Sequence, residues 1–372
     1  MGNLGKDGLP DVAHFCVAHF LCCPFLVLPS FMIDSHSYEI SVAICTYNGE
    51  ARLPLVIDRL RSQLQIKPLR WELLIVDNNS TDGTAAWVQR LQEEQIQEQQ
   101  VHQQHLKEQH LKAQALSCLS IRYILEPQQG TAFARHRAIE SACSPWVACL
   151  DDDNLPHPDW LAEIYDFAQS HPQAGAFHGK ILGDYEMTPP PEFDRIAPFW
   201  AIGGGKRERC YTKDPNAARK RLLPPGAGIV VQRHAWLAQV PPVLNLVGRV
   251  GTSMVGGEDI EAMTYLSRAG WEIWYSPKIV LDHRIAHHRM THDAVIRHMH
   301  GIGLGRWQLR RLSLPVWKQP IALLLFWLND LRKFLQHTLK YRGHSANTVL
   351  VAEQAFFKGC LQSPFYGWLI RS

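Results

Sequence analysis

The chain has 372 residues and a net charge of +3, with 46% hydrophobic and 20% charged residues, which is an ordinary globular composition with material for a large core. So small a net charge gives no reason to expect a nucleic-acid partner. Nine cysteines, an odd number without a CxxC pair, exclude a disulfide framework and read as the reduced, buried thiols of a cytoplasmic protein.

Val12 to Ile33 is apolar and about long enough to cross a bilayer. It carries His14, His19, Pro24 and Pro29, and its upstream flank offers only Lys6, balanced by Asp7. No small-residue cleavage site follows, so a signal peptide is disfavoured. Residues 1–33 then stand as a weak anchor, a disordered apolar tail or an extension upstream of a native start at Met32. The last is preferred, because domain patterning begins directly after Met32.

Ile40 to Cys45 reads as a buried strand ending in the turn-forming Thr46-Tyr47-Asn48-Gly49. Leu53, Val56, Ile57, Leu60 and Leu64 recur at helical spacing, with Pro54 suited to a first turn. Leu73 to Val76 is a second strand, followed by the polar run Asp77 to Thr84 and a helix through Ala85, Trp87, Val88 and Leu91. Residues 92–114, crowded with Gln, Glu and His, read as an insertion that lengthens this helix away from the core. A strand at Ile121 to Leu125, a helix at Thr131 to Ala142 and a strand at Trp146 to Leu150 follow. Such alternation predicts an α/β domain with a doubly wound, mostly parallel sheet.

The fourth strand ends in Asp151-Asp152-Asp153. Three adjacent carboxylates repel unless a cation shares them, and strand alternation turns Asp151 and Asp153 the same way, towards one hard ion such as Mg²⁺ or Mn²⁺. A solvated acidic turn capping a helix at Asn154-Leu155-Pro156 is the alternative. Later strands are expected at Ala176 to Ile181, Ile229 to Val231, Trp271 to Tyr275 and Ile279 to Leu281, with helices opening near His234 and after Gly256-Gly257. Met187 to Trp200, running into Gly203-Gly204-Gly205, reads as a mobile surface loop and candidate lid, with Trp200 placed to stack on an acceptor sugar. Trp271 and Trp274 read as core.

The stretches ISVAICTYNGE, LLIVDNNSTDGT, GTAFARHRAIESA, WVACLDDDNLP, PPGAGIVVQR, GGEDIE and LDHRI, in this order and spacing, resemble family 2 glycosyltransferases of the GT-A fold. Members that build bacterial exopolysaccharides are among those resembled. The resemblance covers Ser37 to Met290. It implies a donor pocket formed by Thr46, Tyr47, Asn48, Asp77, Asn79, Arg135, Asp151 and Asp152, with Asp77 accepting from the nucleotide base. For Arg135 an exposed helix arginine is an equal reading. The resemblance also implies Mn²⁺ or Mg²⁺ on Asp151 and Asp153, with His283 either a ligand or structural. Asp259 is implied as the base that deprotonates the acceptor hydroxyl, with Glu258 orienting it. The alternative for this acidic pair is a favourable interaction with a helix dipole.

The expected activity is metal-dependent, inverting transfer from a UDP-linked sugar to a saccharide or lipid-linked acceptor. A nucleotidyltransferase would want a lysine- and glycine-rich loop after the first strand, which Thr46 to Glu50 does not supply. A non-catalytic carbohydrate-binding homologue is disfavoured because Asp153 and Asp259 are present. Gly303 stands where a processive synthase's Gln-x-x-Arg-Trp motif needs glutamine, so single-sugar transfer is preferred. The run His283, His287, His288, His292, His298 and His300 lacks an H-E-x-x-H motif and reads as an exposed helix face rather than a zinc site. The domain expected to carry the activity spans 34–303. Residues 304–372 form a helical region, basic from Leu304 to Leu312 and apolar from Pro315 to Leu335, that lies on the inner face of the plasma membrane or packs back on the domain.

Overall fold

Three apolar runs buried from both sides, with a less buried fourth strand at the edge, make the parallel half of a nine-stranded sheet. The computed structural model describes residues 38–63, 69–108, 120–214, 223–251, 253–343 and 346–369. The expectations for residues 1–33, Leu64 and 109–114 lie outside them. β1 (Ile40–Thr46), β2 (Trp71–Asp77), β3 (Ser120–Leu125) and β4 (Trp146–Asp151) run parallel in the order β3-β2-β1-β4. Ile40, Val42 and Ile44 of β1 enter one core, while Ala43 and Cys45 enter the other. That double burial is why these strands read as continuous apolar runs.

The helices Leu53–Arg61 and Trp160–Ser170 cover the first face, and Thr131–Ser141, Arg233–Gln239 and Glu258–Arg268 cover the second. The helix Thr84–Glu108 is 25 residues long, about 37 Å at 1.5 Å per residue. Beyond β4 the sheet turns mixed. β8 (Val230–Gln232) joins antiparallel, followed by β6 (Ala174–Tyr185), β9 (Glu272–Ile285) and β5 (Asn154–Pro156), with β7 (Arg209–Cys210) also on β9. The two strands expected between Trp271 and Leu281 are thus one long strand.

Two expectations are corrected by packing. Met187 to Trp200 contains the 3₁₀ turns Phe193–Arg195 and Ala197–Trp200, whose Phe193, Ile196 and Trp200 join a third core with Met290, Val295, Met299 and Val349. Gly203 exchanges two backbone hydrogen bonds with Ile181, of 2.9 and 3.0 Å. The segment is therefore anchored to the sheet, and Trp200, 2% exposed, faces Phe193 and His298 instead of an acceptor. Its apolar residues resembled loop content because their spacing follows neither a strand nor an α-helix. Asn154–Pro156, where the alternative reading placed a helix start, pairs as β5 with β9, and the helix opens only at Trp160.

Ser35–Ser372 forms one compact unit. The helices His292–Leu304 and Thr348–Leu369 cross with backbones touching. A Cβ on Gly303 would lie 2.4 Å from the Phe356 carbonyl oxygen, and one on Gly359 would lie 2.3 Å from that of His300. Only glycine permits this approach.

Candidate active site

The strand order reverses between β1 and β4, and in open α/β sheets the crevice at such a switch point, outside the carboxyl ends of the strands, is where ligands bind. Thr46, Asp77 and Asp151 end β1, β2 and β4 side by side, with Thr46 opposite Asp77 and Cys45 opposite Asp151. The loop after β1 is tied to the loop after β2. The Asn48 N–H donates to Ser80 Oγ at 2.8 Å, and Asn48 Oδ1 accepts from the Thr81 N–H at 2.8 Å. Asn48 and Asn79 both sit in the left-handed region, at φ 51° and 63°, which asparagine tolerates better than most residues. Tyr47 is exposed at the crevice edge. Asp77 is buried and accepts from the Ser80 N–H at 2.8 Å and the Tyr123 hydroxyl at 2.7 Å.

Each of the three consecutive aspartates meets its own arginine. Asp151 Oδ1 lies 3.5 Å from Arg135 Nη2. Asp152 accepts two bonds of 2.8 Å from Arg52 and one of 2.6 Å from the Thr46 hydroxyl. Asp153 Oδ2 lies 2.6 Å from Arg289 Nη1. β4 ends at Asp151 and the chain turns through Asp152 and Asp153, so strand alternation does not itself orient Asp153, though Asp151 still feels the charges of Asp153 and His283. Asp152 ties the β4 turn to β1 and the first helix, so its carboxylate is engaged within the protein. Arg135 is 4% exposed, which excludes the exposed reading. Burial works against its charge, but Asp151 leads the groups that hold it firmly protonated.

His283, buried on β9 opposite Asn154, donates from Nδ1 to the Trp200 carbonyl at 2.8 Å. A carbonyl only accepts, so this bond assigns the neutral tautomer's lone pair to Nε2. Nε2 faces Asp153 Oδ2 at 3.4 Å. Burial opposes the Asp153 charge, but His283 in its protonated form and Arg289 hold its carboxyl well below the usual range. Among the described residues no group of three or more His, Cys, Asp or Glu side chains is disposed to hold a metal ion. Of the expected set Asp151, Asp153 and His283, the last two converge. An oxygen and an imidazole lone pair oriented by its second nitrogen make a donor pair that fits a divalent ion.

Glu258 and Asp259 open a helix behind Gly257, whose φ of 115° only glycine adopts readily. The Asp259 oxygens accept from the Gly226 N–H at 2.6 Å and the Ile260 N–H at 2.7 Å. Gly226 is wedged between the two halves of the site: a Cβ there would lie 2.7 Å from Arg135 Nη1 and 2.9 Å from Asp259 Cβ. The aspartates after β4 and the acidic pair are thereby joined through Arg135. Burial, reinforced by Asp259, pushes the Glu258 carboxyl up from 4.5 to about 7.

The Glu258 shift makes stability depend on pH. The folded state binds this proton more tightly than the unfolded chain, so the group's contribution is full below pH 4.5 and is lost as pH rises through about 7. Glu258→Gln, which cannot ionise, should gain about 2 kcal/mol on the wild type between pH 5 and pH 8. Denaturant unfolding at both pH values measures it, and a pH-independent difference would contradict the assignment.

The functional candidates drawn from the sequence did not include Arg52, Arg249, Arg289 or Tyr123, and His298 was expected on an exposed face. It is buried, with Nε2 2.9 Å from the Phe199 carbonyl oxygen and Nδ1 3.1 Å from Arg249 Nη2. The signal that could have marked it is the apolar company of Val295 and Met299 at helical spacing.

The chain is similar to several known proteins. A glucosyl-dolichyl phosphate glucuronosyltransferase of Haloferax volcanii is 22% identical over 259 residues, 69% of this chain and 73% of that protein. The succinoglycan biosynthesis protein ExoM of Rhizobium meliloti is 23% identical over 265 residues, 69% and 70% of the two chains. Among solved structures, the mannosyltransferase PcManGT of Pyrobaculum calidifontis, in complex with GDP-Man and Mn²⁺, superposes with a TM-score of 0.52 at 17% identity, covering 89% of this chain and 88% of that one. That likeness concerns the fold, which is GT-A. Residues 41–237 match the family described as Glycosyl transferase family 2, a span that begins in β1 and takes in both the crevice loops and the aspartates after β4. The chain therefore belongs to glycosyl transferase family 2.

Proposed function

We propose that the protein transfers a sugar from a nucleotide-diphospho-sugar, UDP-linked, to a hydroxyl of a saccharide or lipid-linked acceptor, with inversion at the anomeric carbon. The observation that carries this reading is that Arg135 stands between the acids after β4 and the acidic pair, 3.5 Å from Asp151 and, with Asp259, against Gly226. Asp77, held by Ser80 and Tyr123, keeps lone pairs for the N–H groups of a base, with Tyr47 and Asn79 exposed beside it. Asp153 and His283 hold Mn²⁺ or Mg²⁺, with Asp151 nearby. When bound, the ion neutralises charge on the donor diphosphate.

Asp259 takes the acceptor proton as the acceptor oxygen bonds to the anomeric carbon. The bond from that carbon to the diphosphate breaks, and its electron pair leaves with the diphosphate. Two backbone N–H groups fix the Asp259 carboxylate, leaving each oxygen a lone pair for the proton. Glu258, whose carboxyl is raised to about 7, orients the acceptor as a hydrogen-bond donor in its protonated form. Family membership favours this reading over a nucleotidyltransferase or a carbohydrate-binding homologue.

No helix among the described residues is long and apolar enough to cross a membrane. The helix Gln319–Lys340 instead serves as a peripheral contact with an anionic membrane surface at the cytoplasmic face, where lipid-linked acceptors would be met.

Nucleoside-diphosphate release from UDP-, GDP- and dTDP-sugars, measured with Mn²⁺, Mg²⁺ or chelator and a membrane lipid extract as acceptor, tests the reading. Metal-stimulated release from one donor, with sugar recovered on lipid, is expected. No turnover and no calorimetric binding of any donor in Mn²⁺ would overturn it.

A further inference from the structure

Two guanidinium groups at the crevice lie outside the roles given so far. Arg289, in the turn His287–Arg289, shares Asp153 Oδ2 and also places Nη1 3.4 Å from His283 Nε2. Arg249 is solvent-accessible, lies among the charges of Arg289, Glu258, Asp153 and Asp151, and reaches His298 Nδ1 at 3.1 Å. Among the described residues no carboxylate stands within ion-pair range of Arg249.

Two buried histidines flank these arginines. His283 donates from Nδ1 to the Trp200 carbonyl, and His298 donates from Nε2 to the Phe199 carbonyl. Burial, helped by Arg249, keeps His298 uncharged, so its Nδ1 lone pair turns towards Arg249, which can only donate. Arg289 is held instead by Asp153 Oδ2, with His283 Nε2 3.4 Å away. Two successive carbonyls of the turn Ala197–Trp200 thus orient the histidines beside both guanidinium groups.

Like charges held near each other, one of them without a carboxylate partner, call for an anion between them. The planar fork of arginine matches phosphate oxygens in pairs. We propose that Arg249 and Arg289 form a two-arginine seat for the donor diphosphate, with His298 as the positioning residue for Arg249. This rests on the nucleotide-sugar reading and adds to it: charge on the departing diphosphate is met by the protein's own cations as well as by the ion.

Calorimetry with UDP, UMP and uridine, and with GDP and guanosine, each in Mn²⁺ and in chelator, tests the seat. Arg249→Gln and Arg289→Gln should each weaken nucleoside-diphosphate binding by about ten- to a hundredfold while leaving nucleoside binding within about twofold. Arg249→Lys and Arg289→Lys should recover part of the loss, because they keep the charge without the fork. His298→Leu should weaken the diphosphate selectively, and His298→Asn, which retains an acceptor near Nδ1, should restore part of it. Unchanged diphosphate affinity in both glutamine variants would overturn the seat, as would an equal loss of nucleoside and nucleoside diphosphate. Failure of the wild type to bind any nucleoside diphosphate would instead overturn the transferase reading.

Discussion

Replacing Asp259 with asparagine is expected to lower turnover by about 10²- to 10⁴-fold while donor binding stays within severalfold of the wild type. The amide cannot take the acceptor proton, and in the proposed mechanism the aspartate acts on the acceptor and not on the donor nucleotide. The substitution also has a structural cost. Asp259 now accepts from the N–H groups of Gly226 and Ile260 on separate oxygens, and an asparagine has one oxygen for the two donors. One N–H then faces an NH₂ group, a loss of about 1–3 kcal/mol. Single-turnover kinetics on folded protein, with melting curves alongside, separates the two effects. Turnover within about tenfold of wild type would remove Asp259 from the role of base.

The parallel half of the sheet was legible because β1, β2 and β4 are buried on both faces and end in clustered polar residues. Val42 and Leu73 need no tertiary information to be placed in a core. The other half was harder to read. Although β8 falls where a strand was expected, β5 is three residues long and owes its pairing to β9, not to its own pattern. The segment from Met187 to Trp200 misled for a related reason. Proline and 3₁₀ turns obscure periodicity, and its burial depends on helices a hundred residues later.

At the site, carboxylates stood out and, of the arginines, only Arg135 did. Asp151 to Asp153 form a run that any reader notices, whereas Arg52, Arg135 and Arg289 lie 100, 16 and 136 residues from the acids they meet. A charge cluster read from sequence appears short of cations when the fold supplies them from elsewhere. In the histidine run His287, His288 and His292 are exposed as expected, whereas His283 and His298 are buried. These two are oriented by the carbonyls of Trp200 and Phe199, and no residue spacing announces a backbone oxygen.

Vesicles rich in anionic lipid are expected to bind the wild type at physiological salt, and Leu324→Glu, Leu325→Glu and Leu328→Glu together should reduce that binding by more than about a hundredfold. The helix Gln319–Lys340 has two distinct faces. On one, Leu323 and Asp330 are buried, Arg310 pairs with Asp330, and the Trp327 ring N–H donates to the Leu361 carbonyl at 3.1 Å. This face packs the helix onto the domain. On the other, Ile321, Leu324, Leu325, Leu328, Leu335 and Leu339 follow helical spacing and stand exposed, Ile321 at 71% and Leu325 at 60%. That stripe runs about 27 Å along the helix, and Trp317 at its start is exposed beside Lys318. Residues 305–343 carry eight Lys or Arg against a single Asp, in a chain whose whole net charge is +3. The remainder is therefore net negative, and the positive charge is concentrated around the apolar stripe. Three half-exposed leucines contribute about 1 kcal/mol each on insertion, and each nearby Lys or Arg adds about 1 kcal/mol at an anionic surface. Binding should accordingly fall as salt shortens the Debye length and should be weak on neutral lipid. Equal binding to neutral and anionic vesicles, or a lipid-free dimer dissolved by the same three substitutions, would assign the stripe to another occupant.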